Sequence, residues 1–332
     1  MSTSSRTTTA DEKSMEESKK SVGSYLMEHW VLPVLGITAY AMLGTASRIA
    51  ITDGTEGGDF FSSYSYFAAN CLGSFVMGLM NGIPDLKKKT PGFHQGVTVG
   101  YCGCFTTFSS WIYAIVKAPS PDVGAVEFLT GMSMPFISWL FGNDIGAAFV
   151  DLTKDHKPWI TDKAWYMIDQ VEADPQTHPD DVLKALVVFP YVFTALLFPL
   201  IATQGVFPPA SVYASLLSPL GAIPRWISST YLNSLWPQFP LGTFVANVLA
   251  VAFDGILMGA APGNTFAGYC ITGIGGSWST VSSFVNDTFN LYRKHWDGER
   301  SVAKNKFWVY WYLTVSVGIS LAIAAIVHAC TK

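Results

Sequence analysis

Two stretches, Gly103–Trp111 (GCFTTFSSW) and Gly276–Phe284 (GSWSTVSSF), each crowd five hydroxyl or thiol side chains into an otherwise apolar run. Glycine clusters next to Ser/Thr runs weaken a helix. A helix broken at membrane depth presents main-chain and hydroxyl oxygens that can replace the water an ion leaves behind. A plainer reading stands beside this one: Ser and Thr on membrane helices bond back to their own helix or to a neighbour, and glycines allow close packing. Either copy alone favours the plainer reading. Recurrence at a constant offset favours the ion.

Other chemistries lack their residues. Cys71, Cys102, Cys104, Cys270 and Cys330 form no CxxC pair and stand near no histidine cluster, so neither a zinc site nor a disulfide framework is expected. They read as small, soft packing residues. The six histidines converge on no metal or nucleophile, and no phosphate loop occurs, since the glycine-rich run Gly268–Gly276 contains no lysine. Neither an enzyme nor an ATP-driven pump is supported. Because the basic loops are short and adjoin apolar segments, nucleic acid is not an expected partner.

The elements that carry these stretches are membrane spans. Half of the 332 residues are hydrophobic and 13% are charged, against about 25% in soluble domains. About 20 apolar residues cross the hydrocarbon core. Nine segments qualify: 30–51, 64–83, 93–116, 126–150, 182–202, 211–232, 241–261, 265–289 and 307–329. The tail, residues 1–25, is rich in Ser, Thr, Lys and Glu and reads as disordered. It has no apolar core before a cleavage site, so no signal peptide is expected. With a cytoplasmic N-terminus, sixteen of the twenty Lys and Arg residues fall on one side, as the positive-inside rule asks. The C-terminus then lies outside.

The chain repeats itself. Gly44 and Arg48 match Gly221 and Arg225, and Asn70 and Gly78 match Asn247 and Gly255, all 177 positions apart. In the third span of each set the offset becomes 173, pairing Gly100, Gly103, Thr106, Thr107, Ser109 and Ser110 with Gly273, Gly276, Ser279, Thr280, Ser282 and Ser283. The expected fold is all-α and integral to the membrane: two four-helix repeats, 26–150 and 207–332, a cytoplasmic linker, 151–181, and a linker helix, 182–206. An odd number of spans before the second repeat inserts it upside down. Inverted repeats place their site near the midplane, at discontinuous helices.

These motifs resemble the fluoride channels called Fluc in bacteria and, in the fused eukaryotic form, fluoride exporters (FEX). The resemblance covers nearly everything after residue 25 and rests on three motifs, each present twice. It implies a passive channel exporting fluoride, most useful at the plasma membrane, and a single fused chain among membrane lipids. It also implies a sodium ion held by main-chain carbonyls of Gly103, Thr106, Gly276 and Ser279. Such a cage asks nothing of the side chain, so Ser279 in place of Thr is tolerated. Each family pore takes one phenylalanine from each half, presenting positive ring edges to the anion. Here one pairing is Phe108 with Phe284 and the other is Val281 with Trp111, which implies one working pore.

Further pore positions are Asn70, Asn247, Ser109, Ser110, Thr280, Ser282 and Ser283, followed by Tyr312, Ser316 and Ser320, spaced four apart on one face of the last span. The first repeat offers a thinner series, Met134, Ser138 and Gly142. The asparagines could also be interhelical glue, and the phenylalanines could simply fill space. Arg48 and Arg225, read as lying near helix ends, suit either an anion-attracting vestibule or an interfacial anchor. A proton- or cation-coupled anion transporter is the alternative function. Against it, Asp144 and Asp254 are placed toward span ends and Glu127 at a rim, leaving no interior carboxylate to relay protons.

Overall fold

The computed structural model describes residues 30–55, 66–89, 91–153, 209–294 and 302–331. The tail, most of the linker and the linker helix 182–206 lie outside the described residues. Among those described there are helices and no strands.

One order of elements occurs twice. The first set is α1 (Leu32–Thr55), α2 (Phe67–Asn81), the short α3 (Pro84–Lys89), then α4 (Pro91–Gln95), which continues through a wide π-helical segment, Gly96–Cys102, into α5 (Gly103–Phe105). After a break come α6 (Phe108–Val116) and the long α7 (Pro121–Thr153). The second set is α8 (Pro209–Leu217) with α9 (Pro219–Leu235), then α10 (Leu241–Ala260). It continues with α11 (Thr265–Cys270), a π-helical segment Ile271–Gly275, α12 (Gly276–Trp278), a break, α13 (Val281–Arg293) and α14 (Val302–Cys330).

Five helical stretches are long and apolar enough to cross a membrane: Leu32–Thr55, Gly92–Val116, Pro121–Leu152, Leu241–Ala260 and Lys306–Cys330. Phe67–Asn81 is apolar but shorter. The rest of the expected spans among the described residues are helical but interrupted, by Ser218–Pro219 between α8 and α9 and by Ser279–Thr280 before α13.

Both third helices break where the sequence suggests. Thr106 (φ −93°, ψ 153°) and Thr107 (φ −142°, ψ 119°) are extended, as are Ser279 (φ −83°, ψ 156°) and Thr280 (φ −157°, ψ 127°). Each break leaves the last carbonyls of one helix and the first amides of the next without partners in their own helix. What satisfies those groups joins the two sets. The core beside the breaks is aromatic and aliphatic, built around Phe108, Trp111, Ile112, Trp139, Val281, Phe284 and Tyr312.

Candidate functional site

At each break one extended residue is held by an asparagine. Thr107 donates its N–H to Asn70 Oδ1 at 2.8 Å, and Asn70 Nδ2 donates back to Thr107 O at 3.2 Å. Thr280 and Asn247 repeat both bonds at 2.8 and 3.2 Å. A side-chain amide offers one acceptor beside one donor and so mimics a neighbouring strand. Thr107 and Thr280 also cap their own following helices, accepting from Ser110 N and Ser283 N.

The neighbouring hydroxyls reach across. Ser279 Oγ accepts from the N–H groups of Phe108 and Ser109, both at 3.1 Å, and thus caps α6 of the other set. Thr106 Oγ1 accepts from Val281 N at 3.2 Å and Ser282 N at 3.1 Å, capping α13. The side chains at these positions therefore do matter, and Ser279 replaces Thr successfully because it keeps the hydroxyl. Thr106, Thr107, Ser109, Ser279, Thr280 and Ser282 are all fully buried.

The carbonyl ends are held by arginine. Arg48 donates through Nη1 to Gly276 O at 2.7 Å and through Nη2 to Thr272 O at 2.5 Å. Arg225 donates through Nε to Ser277 O and through Nη2 to Val99 O, both at 2.9 Å. Guanidinium charge is favourable at the negative end of a helix. A Cβ at Gly103 would collide with the Arg225 guanidinium, and one at Gly276 with that of Arg48. Glycine at these positions admits the cation. Both arginines are buried in the middle turns of their helices rather than near the ends, a correction to the sequence reading; snorkelling is unnecessary because main-chain oxygens replace the water.

The rings of Phe108 and Phe284 meet edge to face, with centroids 5.4 Å apart and planes at 65°. Tyr312 lies 5.4 Å from Phe284, which brings α14 to the phenylalanine pair. From there Tyr312, Ser316 and Ser320 continue along α14, buried, and none of their hydroxyls has a hydrogen-bond partner among the described residues. A buried hydroxyl left unpaired costs about 1–3 kcal/mol, and here three stand in register on one helix.

The counterpart region differs. Trp111 donates Nε1–H to Glu127 O at 3.0 Å, and its indole occupies the space a Cβ on Gly131 would need. On α7, Gly142 packs against the backbone of Phe75 and Leu79, while Met134 is exposed. Trp111 and α2 thus fill the face that α14 keeps polar.

Beyond the breaks, Arg225 and Ser283 line a polar cavity of about 330 Å³ together with Asn81, Lys87, His94 and Asn286. Asp254 was expected toward a span end, and the structure buries it against the second break; Glu127, expected at a rim, lies near the start of α7 and is also buried. Asp254 lies within α10, 1% exposed, and Glu127 is 3% exposed. The sequence held a signal for Asp254, because its match in the first set is Met77, and Gly275, which it touches, matches Cys102.

A duplicated all-helical bundle, apolar on the outside and joined through two broken helices lined with hydroxyls, defines a membrane-embedded ion-handling protein. The chain belongs to the family described as "CrcB-like protein, Camphor Resistance (CrcB)", whose pattern matches twice, at residues 35–143 and 212–327. It is similar to Fluoride export protein 2 of Saccharomyces cerevisiae, 23% identical over 92% of this chain and 94% of that protein. Fluoride export protein 1 of the same yeast is 23% identical, covering 81% and 88%. The Fluoride-specific ion channel FluC of Cereibacter sphaeroides is 34% identical over 31% of this chain and 78% of its own length. No solved structure matches significantly.

Proposed function

We propose that this protein is a passive, fluoride-selective channel with one conducting path, running past Phe108 and Phe284 and along Tyr312, Ser316 and Ser320. The observation that carries the reading is the row of buried, unpartnered hydroxyls beginning at that ring pair. Fluoride is small and strongly hydrated, so it needs donors in place of water at each step. Hydroxyls supply them, and ring edges add positive charge without binding tightly. Asn70 and Asn247 position the breaks, Ser109, Ser110, Thr280 and Ser282 form their hydroxyl lining, and Ser283 and Arg225 open that region to the polar cavity.

In this reading the two sets are inverted repeats joined by the linker helix 182–206, nine spans in all. The basic loops are cytoplasmic, the C-terminus is outside, and the protein works as one fused chain at the plasma membrane, where fluoride leaves down its gradient.

A structural sodium ion suits the residues present. Gly103, Thr106, Gly276 and Ser279 would hold it through main-chain oxygens, the donors a hard cation takes. No cluster of metal-ligating side chains is found among the described residues. Gly276 O, which accepts from Arg48, keeps a second lone pair. Such an ion would supply a fixed positive charge between the two breaks.

One observation favours the alternative, a proton-coupled anion exchanger, because Asp254 is a buried carboxylate. Fluoride efflux from liposomes separates the two, with the membrane potential set by potassium and valinomycin. Efflux that follows voltage and needs no proton gradient is the expected result. Proton-dependent, voltage-indifferent efflux would establish the exchanger.

A further inference from the structure

The polar cavity of about 330 Å³ stops short of the ring pair, since neither Phe108 nor Phe284 is among its walls. One helix face continues inward from it. On α2, Asn70, Ser74, Met77 and Asn81 recur at intervals of four, three and four, which places them on one side of the helix. Asn81 and Met77 line the cavity. Asn70, at the far end of the series, clamps the break at Thr107. Ser74 lies between them, fully buried, and its Oγ has no hydrogen-bond partner among the described residues.

The opposite wall is α13, which packs against α2 and brings Ser283 and Asn286 to the cavity. These two residues flank Phe284 in sequence, and Phe284 shares one buried cluster with Met77. Asn286 Oδ1 is likewise without a partner among the described residues. The second set has none of this. There the matches of Ser74, Asn81 and Asn286 are Val251, Met258 and Tyr113. Tyr113 donates its hydroxyl to Val251 O at 3.0 Å, so a tyrosine ring occupies that corner. By the repeat, Asn286 faces Ser74 across the corresponding corner, with a shorter side chain that fills less of it.

We propose that Ser74 donates its hydroxyl to fluoride as the ion passes from the cavity to the rings of Phe108 and Phe284, with Asn286 on the opposite wall: a binding position that the second set lacks. This rests on the conduction reading above and deepens it. An ion that gives up its water needs a substitute at each step. Ser74 carries the one hydroxyl on α2, and no group among the described residues takes its hydrogen. A neutral donor also holds an anion less tightly than a charged one would, which lets the ion move on.

The test is fluoride current through the full-length chain, recorded as fluoride is raised to saturation, with thermal unfolding in detergent measured beside it. Ser74→Ala should raise the half-saturating fluoride concentration about five- to ten-fold, the loss of one net hydrogen bond. The current at saturation and the unfolding temperature should stay nearly unchanged. Ser74→Cys, of similar shape but a weaker donor, should fall between, and it decides the matter should the alanine variant not fold. Val251→Ala should leave the half-saturating concentration where it is. A half-saturating concentration unmoved in folded Ser74→Ala overturns the proposal; if the unfolding temperature alone falls, the hydroxyl has a structural role, such as holding a water. An equal shift in Val251→Ala overturns it too, since loosened packing would then explain both. Absence of any fluoride current in the wild-type chain would instead sink the conduction reading itself.

Discussion

The two sets of helices agree where the chain is broken and diverge one turn away. The asparagine clamps repeat at 2.8 and 3.2 Å in both sets, and the cross-caps span 3.1 to 3.2 Å in either direction. Phe284, by contrast, meets Phe108 and Tyr312, whereas its counterpart Trp111 is tied to Glu127 and lies over Gly131. The difference teaches which constraints bind. An unsatisfied main-chain group at a buried break penalises both sets equally, so the hydroxyls, amides and guanidiniums must be kept twice. On the proposed reading a route for ions is needed once, which leaves the other copy free to pack.

The comparison breaks most sharply at the rings. Phe284→Ile should reduce fluoride efflux from proteoliposomes to the level of empty vesicles, and Val281→Ala should leave it intact; equal loss in both would mean two conducting paths. Next come the hydroxyls of the last helices. Ser316→Ala removes one net hydrogen bond from a passing anion and should slow efflux about ten-fold, with unfolding unchanged because the hydroxyl has no partner among the described residues. Ser138→Ala on α7 should change efflux little.

Packing is a third contrast, read by thermal unfolding in detergent. Gly142→Ala forces a Cβ onto the Phe75 carbonyl and should cost about 1–3 kcal/mol. Gly318→Ala, with nothing within 4 Å, should cost nothing. The smallest difference should lie within a matched pair. Thr106→Val and Ser279→Ala each strip two amides of their acceptor and should destabilise by about 1–2 kcal/mol apiece. Unequal costs would show that the caps are not equivalent.

Much of this was legible in the sequence because the signal was doubled. Offsets of 177 and 173 located both breaks, both arginines and both asparagines, and the resemblance singled out Phe108 with Phe284. What stayed hidden was direction. Spacing showed that Arg48 and Arg225 recur, but not that they turn inward onto carbonyls of distant segments, since a carbonyl leaves no trace in residue type. The cross-caps were equally silent, because a threonine that caps its own helix and one that caps another look alike in sequence. Asp254 was misplaced for a different reason: its burial depends on a glycine twenty-one positions later, and a glycine's small size does not say which side chain it admits.

The cross-caps bear on how the protein is made. A ribosome delivers α6 long before Ser279, so the first set reaches the membrane with the amides of Phe108 and Ser109 still lacking the hydroxyl that will receive them. Neither half can finish its own break. The first half must wait, incompletely bonded, until the eighth expected span arrives, and a chain cut short before then would leave quality control an unfinished helix end to recognise.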